Sequence, residues 1–121
     1  MLNIKPLRPT SREKKRYLVY QIDFVKSEGK LNNKNMFDYQ KLLIKKIQEL
    51  LGVFQTAGAG IIPVKISDEA RKGILRVNNK YVDLVRSCFV MITNLEHEEV
   101  IVRTIGVSGI LKKAQEKYFS N

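Results

Sequence analysis

Cysteine and histidine each occur once in this chain, and no apolar run approaches the ~20 residues a membrane span requires. The lone cysteine, Cys88, excludes an internal disulfide and a thiolate metal cluster within the chain. It lies in the apolar run Ser87-Cys-Phe-Val-Met-Ile92 and reads as a small buried hydrophobe. The lone histidine, His97, sits between Glu96 and Glu98 in a polar stretch. With no second histidine or cysteine beside it, it reads as a solvated residue, neither base nor metal ligand. Glu96, Glu98 and Glu99 lack metal-binding spacing and read as the acidic rim of a loop. No catalytic site, metal or cofactor is therefore expected on the chain itself. The N-terminus lacks the apolar stretch of a signal peptide, so the expected location is the cytoplasm.

Negative charge is also scarce. Asp and Glu number 12 against 22 Lys and Arg, a net charge of +10 over 121 residues. Such an excess points to a polyanion, and nucleic acid is the commonest candidate. The charge is clustered. Lys5, Arg8, Arg12, Lys14, Lys15 and Arg16 are opposed only by Glu13, so this short segment carries 6 − 1 = +5.

What is present fits one domain preceded by an arm. Residues 1–15 include Pro6 and Pro9 and develop no hydrophobic period, so they read as a basic arm, with a single domain over 16–121. From Arg16 to Val25, Leu18, Tyr20, Ile22 and Phe24 alternate with Tyr17, Val19, Gln21 and Asp23, the period of a half-buried strand. Ser27 to Lys34 reads as a loop. Asn35 and Asp38 form the pattern of a capping box, and Phe37, Leu43, Ile44, Ile47, Leu50, Leu51 and Phe54 follow at helical spacing, with Gly52 as a stop. Gln55 to Gly60 reads as a flexible connection. Ile61 to Ser67 and Lys72 to Val77 read as strands around a turn, with Pro63 near a strand start or on an edge. A second helix, capped by Asn78 or Asn79, runs through Tyr81, Leu84, Val85, Cys88, Phe89 and Ile92. Val100 to Val107 is the last strand, and Gly106-Val-Ser-Gly109 turns the chain into a closing helix bearing Leu111, Ala114 and Tyr118.

The order β-α-β-β-α-β plus a C-terminal helix predicts an α+β fold. It is the ferredoxin-like, RNA-recognition-like two-layer sandwich, with two helices on one sheet face and the other face free. Gly58-Ala-Gly60 lacks the third glycine and the preceding strand of a dinucleotide fingerprint. The Gly106–Gly109 segment has two readings. One is a tight turn capped by Ser108; the other is a phosphate contact at a helix start with Lys112 and Lys113 beyond it. The basic arm suits backbone phosphates, whose contacts dominate nucleic-acid affinity and make it salt-sensitive. Arg71, Lys72, Arg76 and Lys80 form a second basic group. Aromatics for base stacking are few: Tyr17 and Tyr20 on the first strand and none in Lys72 to Val77. Phosphate and shape recognition fit better than base reading.

Four stretches carry a family resemblance: Leu7-Arg-Pro-Thr10 running into Arg12-Glu-Lys-Lys-Arg-Tyr17, then Gly73-Ile-Leu-Arg-Val77, Tyr81-Val-Asp83 and Thr104-Ile-Gly-Val-Ser-Gly109. In this order the chain resembles the archaeal ribonuclease P protein component 2 family, of the ribonuclease P/MRP small protein subunits. The resemblance implies an accessory subunit of the ribonucleoprotein that removes 5′ leaders from precursor tRNA. It implies that the catalytic RNA does the chemistry with magnesium, while the protein binds no cofactor. The implied partners are the catalytic RNA, protein component 3, a second copy giving a heterotetramer, and precursor tRNA contacted directly or through the RNA. It assigns RNA contact to Arg12, Lys14, Lys15 and Arg16, and further to Arg76, Ser108, Lys112 and Lys113. Lys5 and Arg8 join them through the charge of the arm. Other readings are a generic RNA-binding or ribosome-associated module and a protein scaffold with incidental charge. A small phosphatase similar to acylphosphatases needs an arginine after the first strand, where residues 27–34 offer only lysines.

Overall fold

Alternation of large apolar side chains along the first strand dictates where everything else packs. A computed structural model describes residues 14–25 and 35–119. In it, β1 (Lys15–Phe24) turns Leu18, Tyr20 and Ile22 to one side and Val19 to the other, and all four are fully buried. The remaining elements are α1 (Met36–Ala59), β2 (Ile62–Ser67), β3 (Lys72–Asn78), α2 (Val82–Met91), β4 (Asn94–Leu95), β5 (Glu98–Ser108) and α3 (Leu111–Ala114). A 3-10 turn, Asn79–Tyr81, precedes α2, and a π-helical turn, Gln115–Phe119, follows α3.

The sheet order is β2-β3-β1-β5-β4, with each neighbouring pair antiparallel. Apart from the short β4, this is the ferredoxin-like order that the element sequence predicts. The capping box is present: the Asn35 side chain accepts from the Asp38 amide at 3.1 Å, and the Asp38 carboxylate accepts from the Asn35 amide at 3.3 Å. Pro63 lies on β2, an edge strand, opposite Leu75 and next to a register shift, the positions where a strand tolerates proline.

The structure corrects several expectations. Helix α1 does not end at Gly52. That residue adopts φ 81°, a conformation favourable to glycine, and interrupts the helix, which resumes to Ala59 and ends at left-handed Gly60. Residues 55–59 are thus helical, not a flexible connection. The buried stripe of α1 is Met36, Tyr39, Gln40, Leu43 and Ile47, while Phe37, Leu50 and Phe54 are exposed. The periodicity missed this because a glutamine occupies a core position: Gln40 Nε2 donates to the buried Tyr20 hydroxyl at 2.8 Å. Asn78 caps no helix with its side chain. Strand β5 begins two residues earlier than Val100 and folds back on the unexpected β4, so His97 lies exposed in a hairpin turn.

The second sheet face is not left free. Val19 and Ile74 are buried there beneath Ala114, with Leu111, Tyr118 and Phe119 packed around them. The Tyr118 ring occupies the space a Cβ on Gly106 would need. An equivalent contact sets the helical side. Gly73 pairs with Tyr20 across β1 and β3, and a Cβ there would collide with the Tyr20 hydroxyl. Tyr20 also packs its ring 5.8 Å from that of Phe89 on α2.

This packing generates two predictions. Gly73→Ala forces the fully buried Tyr20 to move and is expected to lower unfolding free energy by about 1–3 kcal/mol, the usual cost of overpacking. Urea unfolding of the two proteins measures it, and an unchanged midpoint would contradict the contact. The second concerns Tyr39, whose hydroxyl donates to Glu98 at 3.0 Å. Burial, and then the hydrogen bond to that carboxylate, push its pKa from 10.0 up to about 12. Because the folded value is the higher one, its stabilisation is complete below pH 10 and is lost as pH rises through about 12. Stability measured across that range should fall, and Tyr39→Phe should flatten the fall.

Candidate nucleic-acid interface

The strand register decides which basic residues meet. Strand β1 pairs Lys15 with Asn78, Arg16 with Val77 and Tyr17 with Arg76 on one side, and Tyr17 with Ser108 on the other. The start of β1 therefore lies between the ends of β3 and β5. Lys14, Lys15, Arg16, Arg76 and Ser108 share one end of the sheet, and α3 brings Lys112 and Lys113 directly after β5. Lys80 joins them from the 3-10 turn, where the Asn79 amide donates to the Lys14 carbonyl at 2.7 Å.

Local contacts hold this end in shape. Asn78 is a buried polar residue, 6% exposed, that bridges three elements. Its side-chain oxygen accepts from Lys15 Nζ, and its side-chain nitrogen donates to the Gly58 carbonyl at the end of α1. In the sequence Asn78 reads as a helix cap, since nothing local distinguishes a cap from a bridge between distant segments. The Arg16 guanidinium donates to the Lys15 carbonyl at 3.2 Å and lies against Gly109, where a Cβ would come within 3.2 Å of it. Arg76 is half-buried, and its Nε has no hydrogen-bond partner among the described residues. Lys14, Lys80, Lys112 and Lys113 are exposed. The Ser108 hydroxyl accepts from the Ile110 amide at 3.1 Å and donates to the Ile110 carbonyl at 3.0 Å. The residue at the N-cap of α3 is Ile110, so Ser108 organises the turn rather than capping the helix. Lys5, Arg8 and Arg12 lie outside the described residues.

The second basic group divides. Arg76 and Lys80 lie at the basic end, whereas Arg71 and Lys72 stand at the other end of β3. There the Arg71 guanidinium covers the Phe24 ring at 4.4 Å, and Lys72 Nζ donates to the Tyr118 carbonyl at 3.1 Å. That far end carries Asp23, Asp68, Glu69, Glu98 and Glu99. Asp23 pairs with Arg103 at 2.7 Å, and the Asp68 carboxylate accepts from the Met36 amide at 2.8 Å. The sheet is thus polarised along its strands, positive where β1 begins and negative where it ends.

The aromatics are committed elsewhere. Tyr20 is fully buried, and Tyr17 and Tyr118 are half-buried in the apolar layer between the sheet and the C-terminal segment. A base-stacking platform of the RNA-recognition type is therefore covered. Cys88 is 4% exposed, and burial raises its thiol pKa, which disfavours the thiolate a nucleophile needs. Among the described residues no helix is long and apolar enough to cross a membrane.

Known proteins resemble this chain in sequence and in fold. The model of the Rpp14/Pop5 family matches residues 16–119. "Ribonuclease P protein component 2" of Pyrococcus horikoshii is 31% identical, the alignment covering 99% of this chain and 95% of that protein. The protein of the same name from Thermococcus kodakarensis is 32% identical, over 96% of this chain and 92% of its own. That from Methanocaldococcus jannaschii is also 32% identical, over 95% and 80%. A chain in the cryo-EM structure of yeast Ribonuclease MRP has the same fold, with a TM-score of 0.66 at 15% identity over 88% of this chain and 92% of that one. Sequence match over almost the whole length and agreement of fold lead to one conclusion: this chain belongs to the Rpp14/Pop5 family of ribonuclease P protein subunits.

Proposed function

We propose that this chain serves as a protein subunit of ribonuclease P whose basic sheet end neutralises phosphates of the catalytic RNA. The observation that carries the reading is the register that gathers Lys14, Lys15, Arg16 and Arg76 beside Lys112 and Lys113. Lysine and arginine screen repulsion between neighbouring phosphates and release condensed counterions, stabilising the folded RNA core. The RNA carries out cleavage of the 5′ leader of precursor tRNA with magnesium, and the chain itself binds no cofactor. Its roles are electrostatic and positional. The covered second face and the buried Tyr20 favour recognition of phosphates and shape over reading of bases.

Family membership supports work inside a complex of RNA and protein in the cytoplasm. We place component 3 as the protein partner, with self-association of this chain giving a heterotetramer. Lys5, Arg8 and Arg12 add three cations in the sequence that precedes β1. Ser108 serves by holding the turn that presents Lys112 and Lys113.

Two measurements test the reading. In precursor-tRNA cleavage by the catalytic RNA with component 3, adding this chain should stimulate strongly at low magnesium and little at high magnesium. No stimulation at any magnesium, with RNA binding intact, would assign the chain to generic RNA binding instead. In the second, replacing Arg12, Lys14, Lys15 and Arg16 by alanine should weaken RNA binding. The slope of log affinity against log salt should fall by about 0.9 for each phosphate left without its cation. An unchanged slope would remove this end of the sheet from the RNA surface.

A further inference from the structure

Strand β5 is an edge strand for half its length. Its inner side pairs with β1 throughout, but β4 supplies only two residues, Asn94 opposite Glu99 and Leu95 opposite Glu98. The hydrogen bonding identifies which residues face outward. The Val25 amide donates to the Glu99 carbonyl, so Glu99 turns its backbone inward to β1, whereas the Val100 amide donates outward to the Thr93 carbonyl. With the two-residue period of an antiparallel ladder, Val102 and Thr104 also direct amide and carbonyl outward. Among the described residues nothing pairs with them. The register shift opposite Val19 and Tyr20 ends this stretch, leaving residues 101–104 as a short unpaired edge on which Thr104 is half-buried and Val102 5% exposed.

The edge forms one wall of a groove whose other wall is α2. Asp83, Arg86, Ser87 and Val90 line the helix side, at spacings that put them on one face. Val90 is 81% exposed and the neighbouring Met91 64%, and Ile101 on β5 is 54% exposed. Proteins usually blunt an open edge with lysine, proline or a cover. Here residues 101–104 carry neither lysine nor proline, and Ile101 is exposed while Val100 and Val102 pack their side chains in the core.

We propose that this edge is a docking site for an extended segment of a partner protein, added to β5 as a further strand. Backbone donors and acceptors at strand spacing fit a polypeptide, with an apolar side chain against Val90. Charge selects the rest of the partner. Among the described residues Arg86 is held by an exposed contact to Asp83 at 3.9 Å and can exchange it for a carboxylate on the incoming strand. A second copy is disfavoured: chains of net charge +10 repel, and antiparallel pairing of two such edges through Val102 and Thr104 sets Arg103, already held by Asp23, opposite its own copy with no acidic residue facing it. The partner strand therefore alternates apolar and acidic residues.

The test uses the full chain, isotope-labelled, and a short synthetic peptide alternating valine and glutamate. The peptide should shift the amide signals of Val90, Val102 and Thr104 saturably. Methylating alternate peptide nitrogens, or replacing its glutamates by lysine, should weaken binding by roughly tenfold or more, because the first removes ladder donors and the second reverses the charge. Val90→Glu should weaken it as well while leaving RNA affinity unchanged. Thr104→Pro removes an outward donor on the side away from β1 and should weaken peptide binding, and its spectrum reports directly whether the fold persists. Absence of a saturable shift would overturn the proposal, as would equal binding of the methylated peptide. So would concentration-dependent self-association in sedimentation that Thr104→Pro abolishes, since the edge would then belong to a second copy.

Discussion

One side chain joins the sheet to both long helices. Tyr20 lies against Gly73 on the neighbouring strand, accepts a hydrogen bond from Gln40 on α1 at 2.8 Å, and packs against Phe89 on α2. It is fully buried, so its hydroxyl needs a partner, and Gln40 can supply one only if α1 crosses the sheet at this height. Gly73 is fixed by the same arrangement, because any larger residue would occupy the space of the ring. The glycine that opens Gly73-Ile-Leu-Arg-Val77 is there for the tyrosine opposite it. A tyrosine placed like this cannot stack on a base, and the way the fold is held together limits the way it can bind RNA.

The C-terminal segment imposes the same limit on the other face. Tyr118 against Gly106 repeats the pairing of ring and glycine, and Ala114 closes over Val19 and Ile74. With both faces occupied, the exposed parts of the sheet are its ends and its edges. The ends differ in charge because each strand segregates its own: β1 begins with Lys15 and Arg16 and finishes near Asp23, and β5 begins with Glu98 and Glu99 and leads to Lys112 and Lys113. Antiparallel pairing of β1 with β5 places like charges together. A field with that direction turns one end of the molecule toward a polyanion and the other away from it.

Local patterns in the sequence revealed what depends on local physics. The alternation in β1, the capping box at Asn35 and the edge position of Pro63 follow from side-chain periodicity and backbone chemistry a few residues apart. Features set by distant partners were not legible. Gln40 looks like a surface residue until Tyr20 is brought to it, and Asn78 looks like a cap until Lys15 and Gly58 flank it. Gly52 resembles a helix stop because glycine favours both a terminus and an interruption. The hairpin of β4 is too short to show a period. For the basic surface, charge clustering pointed to Lys14–Arg16, but only register could separate Arg76, at the basic end, from Arg71 and Lys72, which serve packing at the other. The helical spacing of Leu111, Ala114 and Tyr118 was visible; the face they cover was not.

A basic end works differently from a basic face. Exposed charges contribute little singly, since water screens each one and a free lysine loses conformational entropy on binding. They become effective together when their spacing is fixed beforehand, because several phosphates are then engaged for a single loss of translational freedom. Among the described residues the fixing is done by backbone and amide groups rather than by acidic partners. The Asn79 amide holds the Lys14 carbonyl, and Asn78 ties Lys15 to the end of α1. A carboxylate in the place of Asn78 could hold Lys15 equally well, but it would cancel the charge that the proposed surface presents. A neutral amide positions the lysine and leaves its charge available to phosphate.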